Sequence, residues 1–434
     1  MLDRELDKET EASSFCIYGA GIVAASIYTA IKELYHKSPL FFLVSDFGGR
    51  GGTLGEDEKQ PPELDGITVK TLSAWREQLQ SRARAGATDI PHPPDMDGAG
   101  IPGFYLIAVP EVHHQDIMDT LLTLGFPKIE ASQVICVTNA LENALMEEYY
   151  SSRQDCLTVR SLLSSVRMPE TGERKGIGSG HVESKDSQIA WHDRSLPSVQ
   201  IFQVKSHKDK PLHFLLPYQR RANRGYLCPI QAGAALTTQV IAGTQDDMGE
   251  NISVKNHNYC ELTASYYVWK NSHADYKGIC HYRRIFDLDE EQMQMLLAGE
   301  KAGDWDVILP YPSVYYPNLA SEHSRYVSES DWQAMLRALE ETAPDYYEAY
   351  KELVAVGERR FYNFNMLIAK APVFDDYCAF LFRVLEQTES YVMPKAHERA
   401  DRFAGYLGEN LTTLYFLKNR SDLKCAYAGK IWLT

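Results

Sequence analysis

The sequence predicts an α/β protein with two sheet-containing domains. Three observations carry this prediction: short apolar segments alternate with amphipathic ones, a glycine turn follows the first apolar segment, and a polar stretch separates the two halves. Strands that alternate with helices are typical of parallel, doubly wound sheets. We expect a first domain at 12–150, a helix and polar linker at 151–198, and a second α/β domain at 199–434.

The first half contains four apolar strand-like segments, each followed by a helix or a loop. The predicted strands cover 15–19, 41–46, 67–72 and 104–110. The predicted helices are GAGIVAASIYTAIKELY, from Gly19, then SAWREQLQ and HHQDIMDTLLTLG. This alternation gives the β-α-β units of a parallel sheet.

The turn after the first strand reads Gly19-Ala20-Gly21-Ile22-Val23-Ala24, a GxGxxA version of the Rossmann fingerprint. Glycines here let a diphosphate approach the start of the helix, and Asp46, at the end of the second strand, is placed to bind a ribose hydroxyl. The cofactor-binding candidates are Gly19, Gly21 and Asp46. The same turn also serves close strand–helix packing, so a structural turn, a nucleotide or nucleotide-sugar site and an NAD(P) site all stay open. NAD(P) is disfavoured because no residue of this half stands out as an acid or base for hydride transfer.

Composition narrows the functional classes. With 44 basic and 59 acidic residues, the chain carries a formal charge of −15, which disfavours general binding to nucleic acid. The eight cysteines form no C-x-x-C pair, which indicates free thiols in a reducing cytoplasm. No apolar run approaches the ~20 residues of a membrane span, and the acidic start does not resemble a signal peptide. We therefore expect a cytoplasmic protein.

The second half carries most of the candidate chemistry. Its first strand, 199–207, ends near His207 and Lys208. An amphipathic helix is predicted in HNYCELTASYYVWKN, where Glu261 falls off the apolar stripe. The strand at 276–280 then delivers His281-Tyr282-Arg283-Arg284 at its carboxyl end. Ligands of open α/β sheets bind at such ends, and guanidinium groups match phosphate oxygens, so this cluster is a candidate diphosphate site. A surface salt-bridge cluster is the alternative.

Two acidic motifs are candidates for a metal or a substrate. Asp304-Trp305-Asp306 is a D-x-D, a pattern that can bind Mg²⁺ or Mn²⁺. It precedes the apolar strand 307–311 rather than following one, so polarity at a strand entry is the alternative. Asp246-Asp247 lies in a glycine-containing loop, where it can simply cap a turn.

Two further segments supply polar candidates. In FYNFNMLIAK, Asn363 and Asn365 alternate with aromatic residues, which on a strand places both amides on one face. Glu409 precedes a final predicted helix, NLTTLYFLKN, and is a candidate catalytic base. The alternative is a carboxylate stabilised by the start of that helix.

The second half resembles a bacterial polysaccharide glycosyltransferase family that was formerly described as a domain of unknown function. The resemblance rests on PIQAGA, DDMGENISVKNHNYCELTASYYVWKN, DYKGICHYRRIF and FYNFNMLIAK, and it covers residues 199–434. It implies a GT-A-like α/β domain and transfer of galactofuranose in O-antigen or capsule synthesis. It also implies a UDP-sugar donor, most plausibly UDP-galactofuranose, and a glycan acceptor, free or on a lipid carrier.

Inverting transfer of this kind requires a carboxylate that accepts the acceptor's proton and a group that stabilises the departing UDP. Within the shared motifs we assign the second task to Arg283, Arg284 and His281. The remaining candidates are catalytic Glu409 and Asp306 and substrate-binding His207, Lys208, Asp246, Asn251, Lys255, Asn256, Glu261, Asn363 and Asn365. Because the D-x-D precedes a strand rather than following one, the sequence leaves open whether a divalent metal is needed.

Two other functions remain open. One is an NAD(P)-dependent nucleotide-sugar oxidoreductase or epimerase that uses the first domain, although no Tyr-x-x-x-Lys pair stands in a convincing place. The other is a non-catalytic nucleotide-binding scaffold. The sequence leaves the oligomeric state open, and peripheral membrane contact is expected only for a lipid-linked acceptor.

Overall fold

The computed structural model describes residues 14–45, 63–84, 101–124, 128–164, 197–212, 225–298, 304–323 and 326–433. These residues form two large β-sheets flanked by helices and one two-stranded ribbon. The predicted α/β class with parallel sheets is confirmed. Over the described ranges, every helix is too short or too polar to cross a bilayer.

The first sheet has the strand order β3-β4-β2-β1-β5-β6, and every neighbouring pair except β3–β4 is parallel. The strands are β1 Phe15–Tyr18, β2 Phe42–Val44, β3 Glu63–Leu64, β4 Ile67–Thr71, β5 Phe104–Ile107 and β6 Val134–Cys136. The five parallel strands have the order of a Rossmann-type half, which reverses direction between β1 and β5. The glycine turn follows β1 and therefore lies at this switch point.

The described residues of the first part of the chain form the helices α1 Ile22–Tyr35, α2 Leu72–Arg84, α3 His114–Leu122, α4 Asn139–Ser151 and α5 Val159–Ser164. Helix α1 also contacts the second part. The Ser26 hydroxyl accepts a hydrogen bond from the backbone N–H of Val314 at 3.0 Å, and Thr29 and Tyr316 share a hydroxyl contact at 3.0 Å. The two sheets are therefore joined by packed and hydrogen-bonded side chains.

The second sheet has ten strands within the described ranges, in the order β10-β9-β8-β11-β16-β13-β17-β7, with β12 paired to β11 and β18. They are β7 Leu157–Thr158, β8 Val199–Lys205, β9 Leu227–Gln231, β10 Thr244–Gln245, β11 Tyr276–His281, β12 Arg284–Phe286, β13 Val307–Pro310, β16 Leu367–Lys370, β17 Cys425–Ala428 and β18 Lys430–Trp432. Strands β14 Ser313–Val314 and β15 Arg360–Phe361 form the ribbon. Strand β7 joins this sheet before the polar segment, whose residues 165–196 lie outside the described ranges.

The direction of these strands creates the site. Strands β7, β8, β9, β10, β11, β13 and β17 run parallel, whereas β16 runs in the opposite direction. The carboxyl ends of seven strands and the amino end of β16 therefore meet at one edge, which we call the C-terminal edge. Ligands of open α/β sheets bind at such an edge.

The helices of the second part are α6 Asn256–Tyr259, α7 Leu262–Asn271, α8 Glu290–Leu297, α9 Leu319–Glu322, α10 Glu329–Thr342, α11 Pro344–Ala349, α12 Ala371–Glu389 and α13 Phe403–Lys418. Helix α13 is apolar on most sides and is buried from Leu411 to Leu417. It packs against α6, α11, α12 and the turn at Asn363–Asn365. This burial fixes the one carboxylate of its second turn, Glu409, next to the C-terminal edge.

Three local predictions are wrong. Residues 361–370 do not form one strand, because a helical turn at Asn363–Asn365 separates β15 from β16, with φ of 72° at Phe364. Asn363 and Asn365 therefore do not share a strand face. The helix predicted at 257–271 breaks at Cys260, whose φ is 52°. The last helix begins at Phe403, so Glu409 lies inside it and the helix-start explanation does not apply.

Candidate active site

Four cationic or imidazole side chains follow two neighbouring strands at the C-terminal edge. His207 comes just after β8, and His281, Arg283 and Arg284 occupy the tight turn between β11 and β12. Strands β8 and β11 are paired in parallel, so their ends lie side by side. The Nδ1 atoms of both histidines and the Nε atoms of both arginines are buried and have no hydrogen-bond partner. Buried polar atoms are rarely left unpaired, so these four nitrogens indicate a place for a ligand.

Arg284 packs against two aromatic rings. Its guanidinium carbon lies 4.0 Å from the centre of the Phe364 ring and 4.5 Å from that of the Trp432 ring. Burial lowers the pKa of Arg284 to about 10, although the carboxylates of Glu409 and Glu261 act in the opposite direction. The side chain therefore keeps its charge at neutral pH. The two rings also pack edge to face against each other, with centres 5.5 Å apart, so they do not enclose the guanidinium from opposite sides. A guanidinium packed on aromatic rings can still bind an anion through its N–H groups.

Among the residues that the structure describes, neither guanidinium is in an ion pair. Across the described ranges, no carboxylate lies within salt-bridge distance of Arg283 or Arg284. The alternative of a surface salt-bridge cluster is therefore not supported. Arg283 lies instead over the Tyr282 ring, at 5.3 Å, and its charge acts on Asp209.

Glu261 lies beneath this cluster and is buried with two partners. Its Oε1 accepts a hydrogen bond from the Asn365 amide at 2.7 Å, and its Oε2 lies 3.5 Å from His281 Nε2. Burial acts to raise the pKa of Glu261, but His281 and Asn365 outweigh it and lower this pKa to about 2. The break at Cys260 turns Glu261 off the apolar stripe and into the site. Glu261 is therefore ionised at neutral pH.

Glu409 is the second carboxylate of the site and has the opposite environment. Its Oε1 accepts a hydrogen bond of 3.0 Å from the backbone N–H of Phe364. Burial and the negative charge of Glu261 raise its pKa to about 8, against the effects of Phe364, Arg284 and Arg402. A carboxyl group with a pKa near neutrality can exchange a proton with a substrate during turnover.

The two carboxylates therefore differ in role. Paired acids whose surroundings drive their pKa values apart identify the ionised group and the proton-exchanging group of a site. Glu261 is the ionised one because His281 and Asn365 stabilise its charge. Glu409 exchanges protons because it is buried near that charge. The arrangement can hold an anion, keep one fixed negative charge and move one proton.

Sequence reasoning missed three contributors to this cluster. Arg402 precedes α13 with a φ of 66°, and its Nε donates to Cys260 Sγ at 3.1 Å. Burial raises the pKa of Asp209, and Ser206, His281 and Arg283 act to lower it by a smaller amount. Trp432 covers one face of Arg284 from far along the chain. A positive φ before a helix has no clear sequence signal, and the Trp432 contact depends on the β12–β18 pairing.

Other predicted substrate-binding residues shape the loops instead. Asp246 is fully buried and accepts from the backbone N–H groups of Gly233 and Ala234 and the hydroxyls of Ser253 and Thr263. These four bonds engage both carboxylate oxygens of Asp246, so its role is to hold the PIQAGA loop in place.

The asparagines nearby have similar structural roles. The Asn251 amide donates to the backbone carbonyls of Asp247 and Gly249, and the Asn256 amide donates to Cys260 O and Thr263.

The other basic and amide candidates lie around the cluster. Lys255 pairs with Glu389 at 2.7 Å, so its charge is already neutralised. Lys208 is exposed one residue beyond His207. Asn363 is buried in the turn before β16, and Asn365 is the residue of this turn that reaches the site.

Asp306 lies away from these residues. It precedes β13 and therefore stands at the opposite edge of the sheet from His281. One oxygen of Asp306 pairs with Lys370 at 2.8 Å and the other accepts from the Lys424 backbone N–H at 2.9 Å. The prediction that Asp306 lies with the other catalytic candidates is wrong, because the D-x-D comes before a strand rather than after one.

The acidic motif also does not fit a metal ion, because both Asp306 oxygens are engaged by nitrogen donors. Within the described ranges, no group of three histidine, cysteine, aspartate or glutamate side chains is arranged to hold one.

In the glycine turn of the first sheet, close packing requires the first glycine, Gly19. Gly19 has a φ of 125°, and a Cβ there would lie 2.7 Å from the carbonyl oxygen of Ala108. Gly21 precedes α1, and space around it is open. A cleft of about 320 Å³ adjoins Gly21 and is lined from the second part by Tyr316 and Arg359. Asp46, the third cofactor candidate, lies outside the described residues.

Comparison with known proteins gives limited further information. A family model described as a domain of unknown function (DUF4422) matches residues 214–420. No curated protein matches the chain. One similar solved structure is the apo form of the WbbM bifunctional glycosyltransferase, with 28% identity and a TM-score of 0.43. The match covers 55% of this chain and 45% of that chain, so it spans less than half the length of that protein.

Proposed function

We propose that this protein is an inverting glycosyltransferase that moves a sugar from a nucleoside-diphosphate donor to a hydroxyl group of a glycan. The donor class is a UDP-sugar. The sequence motifs shared with galactofuranosyl-transferring enzymes favour UDP-galactofuranose, with bacterial surface polysaccharide as the product. The acceptor is a glycan, free or lipid-linked, and the reaction takes place in the cytoplasm or at the inner face of the membrane.

The observation that carries this proposal is the unpaired cationic turn beside two unlike carboxylates. Arg283 and Arg284 have no ion pair among the described residues, and their Nε atoms are buried without partners. Keeping two unpaired guanidinium groups partly buried costs free energy unless an anion completes them. In a chain with a formal charge of −15, this local positive charge favours an anionic ligand such as a diphosphate.

The carboxylates supply the remaining parts of a single displacement. An acceptor hydroxyl oxygen bonds to the anomeric carbon, the bond from that carbon to the diphosphate oxygen breaks, and its electron pair leaves with UDP. Ionised Glu409 takes the hydroxyl proton. Arg283, Arg284 and His281 stabilise the negative charge that develops on UDP. Glu261 fixes the orientation of His281 through their 3.5 Å contact.

Positively charged side chains of the protein stabilise the leaving group in this reaction. The D-x-D of this chain does not fit a metal site, since Asp306 is engaged by Lys370 and by the backbone of Lys424. No step is therefore assigned to a metal held by these residues. Two arginines and a histidine can neutralise the charge of a diphosphate in place of a metal ion.

The oxidoreductase alternative has less support. Gly19 is required by the close approach to Ala108, which accounts for the first glycine of the fingerprint without a cofactor. The side chains that could exchange protons lie at the C-terminal edge of the second sheet. A scaffold role for the first sheet remains compatible with transfer by the second.

The direct test is a donor screen with product detection by mass spectrometry. Purified full-length protein is incubated with UDP-galactofuranose, UDP-galactopyranose and UDP-glucose together with short galactoside acceptors. The proposal predicts a product larger by one hexose with at least one donor, and loss of that product in Arg283→Gln/Arg284→Met. Reduction of NAD⁺ by a nucleotide sugar without any transfer would instead support the oxidoreductase.

A further inference from the structure

A cleft opens at the C-terminal edge where strands β13 and β17 end, and we call it the distal cleft because it lies away from His281. Its volume is about 470 Å³, within the range of about 300 to 1,000 Å³ that is typical of ligand pockets. Its walls come from helices α4 and α5, the segment after β12, and the turn between β17 and β18. The polar residues that line it are Asn143, Glu147, Arg160, Asp287 and Gln292.

One wall of the distal cleft is held in place by Asn143. Its Nδ2 donates to Asp287 Oδ2 at 3.1 Å and to the Lys430 carbonyl at 3.0 Å, and its Oδ1 accepts from the Lys430 backbone N–H at 3.2 Å. A Cβ at Gly429 would lie 2.7 Å from Asn143 Cγ, so a larger residue there would displace this side chain. The wall is therefore fixed before any ligand binds, which lowers the cost of binding.

Glu147 presents a carboxyl group to the distal cleft with an unsatisfied oxygen. Its Oε1 is buried and has no hydrogen-bond partner among the described residues, although Arg160 Nε lies 3.5 Å away in an ion pair. Burial raises the pKa of Glu147, Arg160 acts to lower it, and the charge of Asp287 acts to raise it. Buried polar atoms are rarely left unpaired, so this oxygen indicates a place for a hydrogen-bond donor from a ligand.

The lining favours an uncharged ligand that carries many hydroxyl groups. The charge of Glu147 is offset by Arg160, so a strongly charged ligand would have to compete with this ion pair. Hydroxyl groups donate to carboxylates and accept from guanidinium and amide groups, and this cleft offers all three. Apolar surface suited to the C–H groups of a sugar ring comes from Val159, Leu163 and Leu288.

The distal cleft and the cationic turn lie on the same edge of the second sheet. Strand β16 alone separates β11 from β13, and β17 follows β13. At about 4.8 Å between neighbouring strands, the ends of β13 and β17 lie about 10 to 14 Å from the end of β11, where His281 stands. A short oligosaccharide can extend over this distance.

We propose that the distal cleft is a subsite for the acceptor glycan, where a sugar unit remote from the reacting hydroxyl donates a hydrogen bond to Glu147. The reacting end of the same glycan then stands at the cationic turn, beside Glu409. The inference rests on the proposed function and adds a preference for acceptors longer than one sugar.

The test compares acceptors of two lengths. In Glu147→Ala we expect the KM for a galactose trisaccharide to rise about tenfold or more, as loss of a hydrogen bond to a charged group predicts. The KM for methyl galactoside and the affinity for UDP should stay within about twofold of wild type, because neither ligand reaches the cleft. Glu148→Ala is the matched control, since it removes an exposed carboxylate of the same helix that does not line the cleft.

A steric variant tests the same cleft without removing a charge. Ser164 is exposed at the end of α5 and lines the cleft, so the indole of Ser164→Trp should occupy part of its volume at little cost to folding. We expect this variant to raise the KM for the trisaccharide and to leave that for methyl galactoside unchanged.

Binding without turnover gives an independent readout. Saturation-transfer NMR should detect the trisaccharide on wild-type protein in the absence of donor, and the signal should weaken in both cleft variants. The inference is overturned if wild type gives no such signal, if both variants bind the trisaccharide as wild type does, or if the KM rises equally for both acceptors. If wild type binds the trisaccharide through Glu147 but transfers no sugar from any donor, the proposed function fails and the cleft stands as a glycan-binding site.

Discussion

Replacement of Glu409 by glutamine should stabilise the protein at neutral pH while it removes activity. The Glu409 carboxyl group is partly buried near the negative charge of Glu261, and its pKa rises from an ordinary 4.5 to about 8. Glutamine keeps a similar shape and can still accept the hydrogen bond from Phe364 N. Glutamine has no carboxyl proton to lose. The substitution therefore removes the free-energy cost of burying an ionisable group in the folded state.

The magnitude follows from the pKa displacement. Below pH 4.5 the carboxyl group is protonated in both states and has no effect on stability. Between pH 4.5 and 8 the unfolded chain releases the proton while the folded chain keeps it, so the free energy of unfolding falls as the pH rises. The loss attributable to Glu409 reaches about 3 kcal/mol at pH 7 and about 5 kcal/mol above pH 8. Water screens a partly exposed group, so these values are upper limits.

The assay is urea unfolding of wild type and Glu409→Gln at pH 5, 7 and 8.5. The stability difference in favour of the variant should be small at pH 5 and should grow toward pH 8.5. Transfer activity should fall about 10²- to 10⁴-fold, as expected for removal of a general base. Parallel stability profiles for the two proteins would refute the environment assigned to Glu409, and an active variant would refute its role as the base.

Four further outcomes follow from the same geometry. In wild type, kcat/KM should rise with pH through an apparent pKa of about 8, the pKa of Glu409. Glu261→Gln should shift this rise to lower pH, because it removes a negative charge beside Glu409. An unshifted pH–rate profile would contradict the electrostatic effect of Glu261 on Glu409. Asp306→Asn should leave kcat/KM within about twofold, since Asp306 stands at the opposite edge of the sheet, and it should lower unfolding free energy by about 1 kcal/mol through the Lys370 contact. Asp246→Ala should destabilise by about 3 kcal/mol or more, because four donors lose their buried acceptor; a variant as stable as wild type in urea would be inconsistent with this role. EDTA should leave the initial rate of transfer nearly unchanged if fixed cations hold the diphosphate, whereas abolition of activity that Mn²⁺ restores would require a metal in that role.

Local patterns were sufficient to predict the strand framework. Strands β1, β5, β8 and β11 are short apolar runs next to clear turn signals, and each begins at its predicted residue. The position of His281-Tyr282-Arg283-Arg284 at a strand end followed from the same reasoning. These features depend on residues close in sequence, which is why a pattern can reveal them.

The interior of the site depended on contacts between distant segments. The Glu261–Asn365 hydrogen bond joins residues 104 positions apart, and Glu409 meets the Phe364 backbone across 45 positions. The positive φ values of Cys260 and Arg402 redirect the chain where no glycine signals a turn. Neither the pairing of these carboxylates nor their opposite pKa displacements can be inferred from spacing alone.

The contact between Tyr326 and Tyr406 also could not be predicted from the sequence. Tyr326 and Tyr406 lie 80 residues apart, and their rings stack with centres 5.2 Å apart only in the folded chain. Many other tyrosines of the chain are buried, so composition gives no means to identify the exposed one. Exposure is a property of the folded surface and requires the structure.

The most direct test of the central claim is calorimetric titration of UDP into wild type and into Arg283→Gln/Arg284→Met, a variant chosen to preserve packing between Phe364 and Trp432. The account predicts that wild type binds UDP more tightly than uridine, that the affinity weakens as salt is added, and that the double variant loses about 100-fold or more while its unfolding profile stays similar. Equal UDP affinity in the two proteins would contradict the claim that these guanidinium groups hold the diphosphate.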